Sequence, residues 1–557
     1  MRSLPQLLLV LVVVLAPAAS ASALVIKAEE ARIKTAGAAA GQGVWNLHSS
    51  GEVGEFIRAE MAGHYEIVVR ARGTSCKGVW PLMQVTVDGG QGPTVTVGSR
   101  DLAEYTLKVE IPAGAHQVAV AFLNDEMAGS EDRNLFLESI EIRPPAGGKD
   151  VTLVTREEWA MAGELREERA LERAAQGIEQ FRKGSASLRV VGADGKPVSD
   201  AVVTVELVRH DFLFGCNIYM FDRFDLPEKN NTYKRRFADV FNYATVGFYW
   251  RGYEPERGKP HYEQTDKIVA WALEHGIRMK GHPLLWGEEA GVPKWSQGQP
   301  PPEVQKARVQ EIMRRYSGKI TFWEVVNEPS HIHNIKIDEP YRWAREADPK
   351  ATLIVNDYQV LANGYPPFFK LLEEAKAAGV PYDGIGIQAH EPRTMRFPLD
   401  EVQRILDRYA TLGVPLHITE FTPASGGEPI TGSQRTGVWN EMAQAEYTER
   451  FYRVIFGHPA TAGITWWDLC DKGAWLKGGG LLRVDLSPKP AYDALWRLIQ
   501  REWKTRAEGR TDPGGTFALR GFHGQYRVRV DFGGRKCEGE FHLGKAGPNE
   551  WVVKFPG

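Results

Sequence analysis

A periodic series of short apolar segments, separated by stretches with helical periodicity, fills residues 212–504 of this chain. Apolar runs of this length between turn residues are typical of buried strands, and apolar positions repeating every 3.6 residues are typical of helices. The eight predicted strands are 212–218, 242–250, 278–286, 320–327, 352–357, 384–390, 415–421 and 462–469. Intervening predicted helices include 264–275, 302–316, 367–378 and 399–412. Eight strand–helix units predict an α/β fold, the (β/α)8 TIM barrel, with functional residues at the C-terminal ends of its strands.

The segments flanking the barrel are rich in β-strand patterns. Residues 24–143 alternate apolar and polar positions between glycine-rich turns, which predicts a β-sandwich. Residues 144–184 are interpreted as a linker followed by a solvated connecting helix, because that helix is highly charged. Residues 185–211 and 505–557 each carry too few strands to bury a face alone. We therefore predict that these two segments, which flank the barrel in the sequence, pack together as one small sandwich.

The N-terminus predicts export. Arg2 precedes the apolar run 7–15 and a stretch of small residues, so residues 1–23 are interpreted as a cleaved signal peptide and the protein as secreted, extracellular or periplasmic. An N-terminal anchor is the alternative. No later stretch approaches the 18 apolar residues of a membrane span, so no membrane association is expected after cleavage.

Charge and cysteine content exclude several other classes. The formal net charge of -3 argues against a nucleic-acid partner. The four cysteines lack CxxC spacing, so neither a disulfide scaffold nor a zinc site is indicated. We expect a monomer.

Two glutamates follow apolar strands at the predicted mouth of the barrel. Glu328 comes directly after strand 320–327, and Glu420 lies at the end of strand 415–421. A single glutamate at a strand end is more often a salt-bridge or helix-cap residue. A pair of carboxyl groups at one barrel mouth is what glycoside hydrolysis requires, because one protonates the leaving oxygen while the other acts at the anomeric carbon.

Several motifs carry a specific resemblance in order along the barrel. They are Gly281-His282-Pro283-Leu284-Leu285-Trp286, Trp323-Glu324-Val325-Val326-Asn327-Glu328, Asn356-Asp357-Tyr358, Gly384-Ile385-Gly386-Ile387-Gln388-Ala389-His390, Ile418-Thr419-Glu420, Trp467 with Trp475, and Pro488-Lys489-Pro490-Ala491-Tyr492. With them the barrel resembles glycoside hydrolase family 10, the endo-β-1,4-xylanases, over about residues 212–504. The flanking strands resemble the extensions of plant-type members.

The resemblance implies a retaining hydrolase of xylan-type polysaccharides, with Glu328 as acid/base, Glu420 as nucleophile and no catalytic cofactor. Asn327 would bond the sugar 2-hydroxyl, and His390 would hold Glu420. The implied substrate-binding residues are His282, Trp286, Asn327, Gln388, His390, Trp467 and Trp475. Core packing is the rival interpretation for each tryptophan. Hydrolysis or transglycosylation of another β-linked glycan, and non-catalytic polysaccharide binding, remain alternatives.

The chain also departs from the family pattern. Thr245, Val246 and Tyr249 stand where members carry the Glu, Asn and Lys that grip the second sugar on the non-reducing side. Gly287 replaces a His, and Asp468 replaces a Gly. We therefore expect the chemistry to be preserved, with weaker use of short unsubstituted xylo-oligosaccharides and a shift toward substituted or unusual β-linked chains.

The N-terminal sandwich resembles the carbohydrate-binding modules of xylanases. The resemblance rests on Ala28-Glu29-Glu30, on Phe122-Leu123-Asn124-Asp125 and on Asp132-Arg133-Asn134-Leu135. Clustered carboxylate and amide oxygens suit calcium, so Glu30, Asp125 and Asp132 are candidate ligands of a structural calcium ion. Turns rich in Asp and Asn for backbone reasons are the alternative.

Overall fold

The computed structural model describes residues 22–555. Residues 1–21, most of the predicted signal peptide, lie outside the described residues. This part of the chain divides into two compact units at the boundary between Gly163 and Glu164. No helix within it is long and apolar enough to cross a membrane.

The first unit is a β-sandwich. Its strands are β1 (Leu24–Lys27), β2 (Ile33–Lys34), β3 (Ala38–Ala39), β4 (Trp45–Leu47), β5 (Gly51–Ala59), β6 (Gly63–Gly73), β7 (Leu82–Val87), β8 (Gly90–Thr96), β9 (Ala103–Ile111), β10 (Gly114–Phe122), β11 (Met127–Ala128), β12 (Glu131–Asp132), β13 (Leu135–Arg143) and β14 (Val151–Leu153). One antiparallel sheet has the order β3-β4-β13-β6-β9, with β1 on β13, and the other has the order β14-β5-β10-β7-β8, with β2 on β5. Alternate residues such as Ile67 and Val69 of β6, and Val118 and Val120 of β10, fill one core. The predicted sandwich is confirmed.

The second unit combines a barrel with short flanking sheets. Its strands are β15 (Lys183–Val191), β16 (Val202–His210), β17 (Leu213–Asn217), β18 (Tyr243–Gly247), β19 (Arg278–His282), β20 (Leu285–Trp286), β21 (Phe322–Asn327), β22 (Thr352–Asp357), β23 (Gly384–Ala389), β24 (Leu416–Phe421), β25 (Thr461–Trp466), β26 (Arg506–Arg510), β27 (Thr516–Phe522), β28 (Gly524–Phe532), β29 (Arg535–Leu543) and β30 (Glu550–Lys554). The helices, the first of which contains the unit boundary, are α1 (Arg156–Gly177), α2 (Pro227–Ala238), α3 (Trp250–Tyr253), α4 (Tyr262–Glu274), α5 (Pro302–Tyr316), α6 (Asp338–Ala347), α7 (Val360–Asn363), α8 (Pro366–Ala377), α9 (Leu399–Ala410), α10 (Glu441–Gly457) and α11 (Pro490–Arg497).

Eight parallel strands in the described residues close into the predicted barrel. Their order is β17-β18-β19-β21-β22-β23-β24-β25, β25 pairs with β17 to close the ring, and the short β20 pairs with β21 beyond the end of β19. Every residue of β23 and of β24 is buried, as expected for barrel strands covered on both faces, and this includes the polar residues Gln388, His417, Thr419 and Glu420. The polar residues at their C-terminal ends are therefore held on a rigid support.

The flanking segments form one small two-sheet domain, as predicted. Strand β15 pairs with β27 and β30, and β16 pairs with β26 and β28, so each sheet joins a strand from before the barrel with strands from after it. Leu188 of β15 and Val203 of β16 are fully buried with Val530 of β28 in the core of this unit. Neither sequence segment supplies a complete sheet, and hydrophobic burial is achieved only by combining them.

The interpretation of α1 as a solvated helix is wrong for its part in the second unit. Glu167, Ala170, Ala174 and Gly177 are buried at helical spacing. A side chain on Gly177 would meet the carbonyl oxygen of Gly457 at 2.1 Å, so α1 and α10 approach backbone to backbone. The buried face is made of small residues and one carboxylate, which a search for apolar periodicity does not detect.

Candidate active site

Glu328 lies immediately after β21 with a positive φ of 56°, a conformation that non-glycine residues adopt rarely and at a cost in free energy. Its backbone N–H donates to the carbonyl of Asn356 at 2.9 Å, which holds the turn. Its two carboxyl oxygens accept hydrogen bonds from Trp286 Nε1 at 3.0 Å and Gln388 Nε2 at 2.8 Å. Burial raises the pKa of Glu328 above its usual value and outweighs these donors, which lower it. A carboxyl group with a raised pKa is suited to donate a proton.

Glu420 is almost fully buried near the end of β24. Asn356 Nδ2 donates to its Oε1 at 3.2 Å, and His390 Nε2 lies 3.4 Å from its Oε2. Burial raises the pKa of Glu420, and the Glu324 carboxylate adds to this, whereas the charge of Lys280 and the Asn356 hydrogen bond favour the ionised form.

A chain of polar contacts joins the two glutamates. Gln388 donates from Nε2 to Glu328, and its Oε1 lies 3.1 Å from His390 Nε2, the atom that faces Glu420. Since both neighbours of His390 Nε2 are oxygens, we assign the ring proton to this nitrogen. Burial lowers the pKa of His390 to about 3, so the ring is neutral. The two carboxyl groups therefore belong to one polar network in a single site.

A buried ion pair, Lys280 with Glu324, lies near Glu420, and the sequence alone indicated no role for it. Lys280 Nζ lies 2.6 Å from a carboxylate oxygen of Glu324, and both side chains are inaccessible to solvent. His282 Nδ1 donates to the other Glu324 oxygen in a short hydrogen bond, so His282 Nε2 is left as an acceptor. The Tyr249 hydroxyl, 3.1 Å away, is the donor to that nitrogen. The sequence signal that could have revealed this ion pair is the presence of an ionisable residue, such as Lys280, within a strand that is otherwise buried.

Glu328 and Glu420 line a cleft of about 630 Å³ at the C-terminal end of the barrel. Its walls are formed by Tyr249, His282, Trp286, Glu288, Ala290, Asn327, Glu328, Ile332, Tyr358, Gln388, His390, Glu391, Arg393, Glu420, Trp467 and Trp475. All nine barrel residues predicted for the site are among them. Tyr358 belongs to a quoted motif but was given no role, and the sequence did not indicate Glu391 or Arg393, which also line the cleft.

The predicted aromatic residues differ in environment. Trp467 is largely buried, with its ring edge-on to His282 at 5.3 Å, whereas Trp475 is 48% exposed and packs against His390 at 4.7 Å. Trp286 donates to Glu328, so it positions the carboxyl group as well as bordering the cleft. An exposed aromatic ring at the mouth of a polar cleft is suited to stack on a sugar.

The positions that depart from the family pattern do not share one environment. Thr245 and Val246 lie within β18 and are buried, whereas Tyr249 lines the cleft. At Gly287, an added Cβ would lie 2.0 Å from Asn334 Oδ1, because residues 332–334 close tightly over this point. Asp468 accepts hydrogen bonds from Asn217 Nδ2 and from the backbone N–H of Trp475, so it holds the loop that carries Trp475.

The candidate calcium ligands are not gathered into one cluster. Glu30 is exposed beside Lys27, and Asp125 is exposed, whereas Asp132 accepts a hydrogen bond from Asn134 Nδ2 at 2.7 Å. In residues 22–555, the one set of three His, Cys, Asp or Glu side chains with ligand atoms all within 4.8 Å of one another is His282, Glu324 and Glu420.

Comparison with known proteins agrees with this architecture. A model of glycosyl hydrolase family 10 matches residues 206–498, more than half of the chain, and a model described as a Ca-dependent, xylan-binding carbohydrate-binding module matches residues 66–154. The second match begins after Glu30. The resemblances drawn from the motifs of the barrel and of the N-terminal sandwich are confirmed.

Individual relatives have different names and lengths. Anti-sigma-I factor RsgI6 of Acetivibrio thermocellus is 28% identical over 377 residues, which cover 66% of this chain and 47% of that protein. Endo-1,4-beta-xylanase 2 of Arabidopsis thaliana is 28% identical over 371 residues, covering 63% of this chain and 32% of the relative. Endo-1,4-beta-xylanase B of Thermotoga neapolitana is 30% identical over 301 residues, covering 48% of this chain and 83% of the relative. The chain thus spans half or less of the length of the first two, and it belongs to glycosyl hydrolase family 10.

Proposed function

We propose that the chain is a retaining, endo-acting hydrolase of the β-1,4 linkages of xylan or a related hemicellulose. The observation that supports this most directly is the pair Glu328 and Glu420, held at the ends of two barrel strands in one cleft and joined through Gln388 and His390. Pure polysaccharide binding requires no such pair. The xylanases among the relatives support the choice of substrate.

In the proposed reaction, Glu328 protonates the leaving glycosidic oxygen while the Glu420 carboxylate attacks the anomeric carbon. The glycosyl–Glu420 ester is then hydrolysed by water that Glu328, now ionised, deprotonates. We assign the role of attacking carboxylate to Glu420 because it matches the position of the nucleophile in the family pattern; burial and Glu324 raise its pKa, and Lys280 and Asn356 are the groups that favour its charge. Asn327 Oδ1 accepts from Asn356 Nδ2 at 2.9 Å, so its amide is fixed for a contact with the sugar 2-hydroxyl.

The stereochemistry of the product tests this mechanism. Double displacement requires the two carboxyl groups about 5–5.5 Å apart and retains the anomeric configuration, as seen by NMR of a fresh xylan digest. Azide should restore turnover of an activated aryl xyloside to Glu420→Ala with inverted product, because the small anion replaces the missing carboxylate. Inverted product from the unmodified enzyme would contradict the assignment of Glu420 as nucleophile.

A second candidate function is polysaccharide binding without turnover, which we keep because one relative is named an anti-sigma-I factor and not a hydrolase. The variant Glu328→Gln separates the two functions, since it removes the proton donor and keeps the shape of the side chain. If the protein is an enzyme, this variant binds xylan and releases no reducing ends, while the parent protein releases them. A parent protein that binds and never cleaves any of xylan, glucuronoxylan, arabinoxylan or mixed-linkage glucan would favour binding without turnover.

We also propose that the N-terminal sandwich binds xylan with calcium, and that the protein is exported and acts as a monomer. The family matched by residues 66–154 is described as Ca-dependent. The donor set fits a hard cation, because Asp132 and Asn134 present neighbouring oxygens and Asn134 Oδ1 is buried without a hydrogen-bond donor. Asp125 lies two residues before β11, which pairs with β12 and thus with Asp132, whereas Glu30 lies before the matched segment. Thermal unfolding of the whole protein in calcium and in EGTA tests for binding, and Asp132→Asn should abolish any difference.

A further inference from the structure

A single permanently charged cation lines the cleft among the described residues. Arg393 follows β23 on the segment that begins with His390, and the other ionisable lining residues are histidines, tyrosines and the acids Glu288, Glu328, Glu391 and Glu420. The Arg393 side chain is 60% exposed, so it lies at the rim of the cleft and not on its floor. A side chain at the rim contacts the branches that project from a bound polysaccharide more readily than it contacts the sugar ring at the cleavage point.

Two contacts fix the Arg393 guanidinium. Its Nε donates to Glu391 Oε1 at 2.9 Å, and its central carbon lies 4.6 Å from the ring centroid of Trp475. The stacking contact uses none of the N–H donors. Within residues 22–555 the two terminal nitrogens have no protein acceptor, so four N–H groups remain on a planar, oriented fork. Such a fork matches the two oxygens of a carboxylate.

We propose that Arg393 recognises a carboxylate carried by a side branch of the polysaccharide, which makes uronic-acid-substituted xylan the preferred substrate class. This inference rests on the proposed hydrolase function and specifies the substrate of that site. Neutral xylan offers hydroxyl groups alone, and these need no permanently charged partner. Glu391 is paired with Arg393, and the other acids of the cleft wall would repel an anionic branch, so favourable binding is confined to the free side of the Arg393 fork at the rim.

The test compares two substrates that differ only in charge. Methylglucuronoxylan and its carboxyl-reduced derivative have the same backbone and branches, and the second lacks the carboxylate. We expect kcat/KM to be about five- to tenfold higher on the charged form, the value of a charge-assisted hydrogen bond at a partly exposed site. In Arg393→Gln this ratio should fall to about 1, and in Arg393→Lys, which keeps the charge and loses the fork, it should be intermediate.

A matched control is Arg314→Gln, which removes an exposed arginine from α5, outside the cleft, and should leave the ratio as in the parent. A parent ratio of 1 or less, or an unchanged ratio in Arg393→Gln, would overturn the inference. Hydrolysis of both substrates at equal rates would leave the proposed function intact.

Binding measured without turnover separates the two proposals. In a Glu328→Gln background, calorimetry with glucuronic-acid-branched xylo-oligosaccharides and their reduced forms should show the same charge preference, lost when Arg393→Gln is added. This measurement decides the role of Arg393 even if no hydrolysis is detected, a result that would refute only the enzymatic proposal. Equal affinity for charged and reduced oligosaccharides would overturn the inference.

Discussion

Removing the Glu167 carboxylate should destabilise the second unit by about 3 kcal/mol. Glu167 on α1 accepts two hydrogen bonds from Arg396, at 2.7 and 3.0 Å, and both side chains are 2% exposed. Deleting one member of a buried ion pair costs about 3–5 kcal/mol, because the other charge is left in a poorly solvated place. Glu446, 3.3 Å from Arg396 and 40% exposed, remains as a weaker partner. We therefore expect Glu167→Ala to fall near the lower end of this range.

The measurement is urea unfolding followed by tryptophan fluorescence, with Glu168→Ala as control. Glu168 is adjacent and pairs with Arg450 through a side chain that is 57% exposed, so its removal should cost less than about 1 kcal/mol. At roughly 2.1 cal/mol/K of unfolding entropy per residue, Glu167→Ala should also lower the melting temperature of this unit by about 4 °C.

The double variant Glu167→Leu with Arg396→Met tests the cause. Replacing both charges by apolar side chains removes the uncompensated cation, so this protein should be more stable than Glu167→Ala. A loss below about 1 kcal/mol in Glu167→Ala, or a double variant less stable than the single, would refute the argument that a buried, unpaired Arg396 causes the destabilisation.

Three further predictions concern the site and the N-terminal unit. Burial raises the pKa of Glu328, so its acid form persists to higher pH. With an activated aryl xyloside as substrate, the alkaline limb of the pH profile of kcat/KM should therefore lie above the usual glutamate pKa of about 4.3. This limb should disappear in Glu328→Gln. Tyr249→Phe should lower the free energy of unfolding by about 1–2 kcal/mol in urea, since His282 Nε2 loses its donor; an unchanged stability would show that another group takes its place. Deleting residues 24–143 should reduce activity on insoluble xylan far more than on soluble oligosaccharides, because a binding module acts by raising the local enzyme concentration; equal losses on both would contradict tethering.

The barrel was predictable because its strands are buried on both faces and read as apolar runs. The small flanking sandwich was predictable for a different reason, since each segment alone had too few strands to form a sheet. The helix α1 was misread because Ala170, Ala174 and Gly177 form its buried face and carry almost no apolar signal. Its burial depends on Gly457 and Arg396, which lie far along the sequence.

Within the site, residues at strand ends were predictable and residues within strands were not. Glu328 and Glu420 lie where two predicted strands end, and their occurrence as a pair within family motifs, more than the position of either one, indicated them. Lys280 and Glu324 lie inside β19 and β21. From the sequence alone, a charged residue inside a strand that faces solvent cannot be told from one that faces a buried partner. Their pairing became visible once the strands were adjacent, with Lys280 opposite Phe322 in register.

The departures around strand β18 show how one substitution constrains another. Thr245 is fully buried and lies opposite Lys280, next to a region that already contains the buried carboxylates of Glu324 and Glu420. A glutamate at position 245 would add a third carboxylate to a neighbourhood with the one buried ammonium of Lys280. Its repulsion would add to the burial that already disfavours ionisation of Glu420. A tyrosine at position 249 satisfies His282 without a charge. A neutral Thr245 and a neutral Tyr249 therefore form a consistent set in which Lys280 neutralises Glu324 and favours the charge of Glu420, and Arg393 is the one permanently charged cation that lines the cleft among residues 22–555.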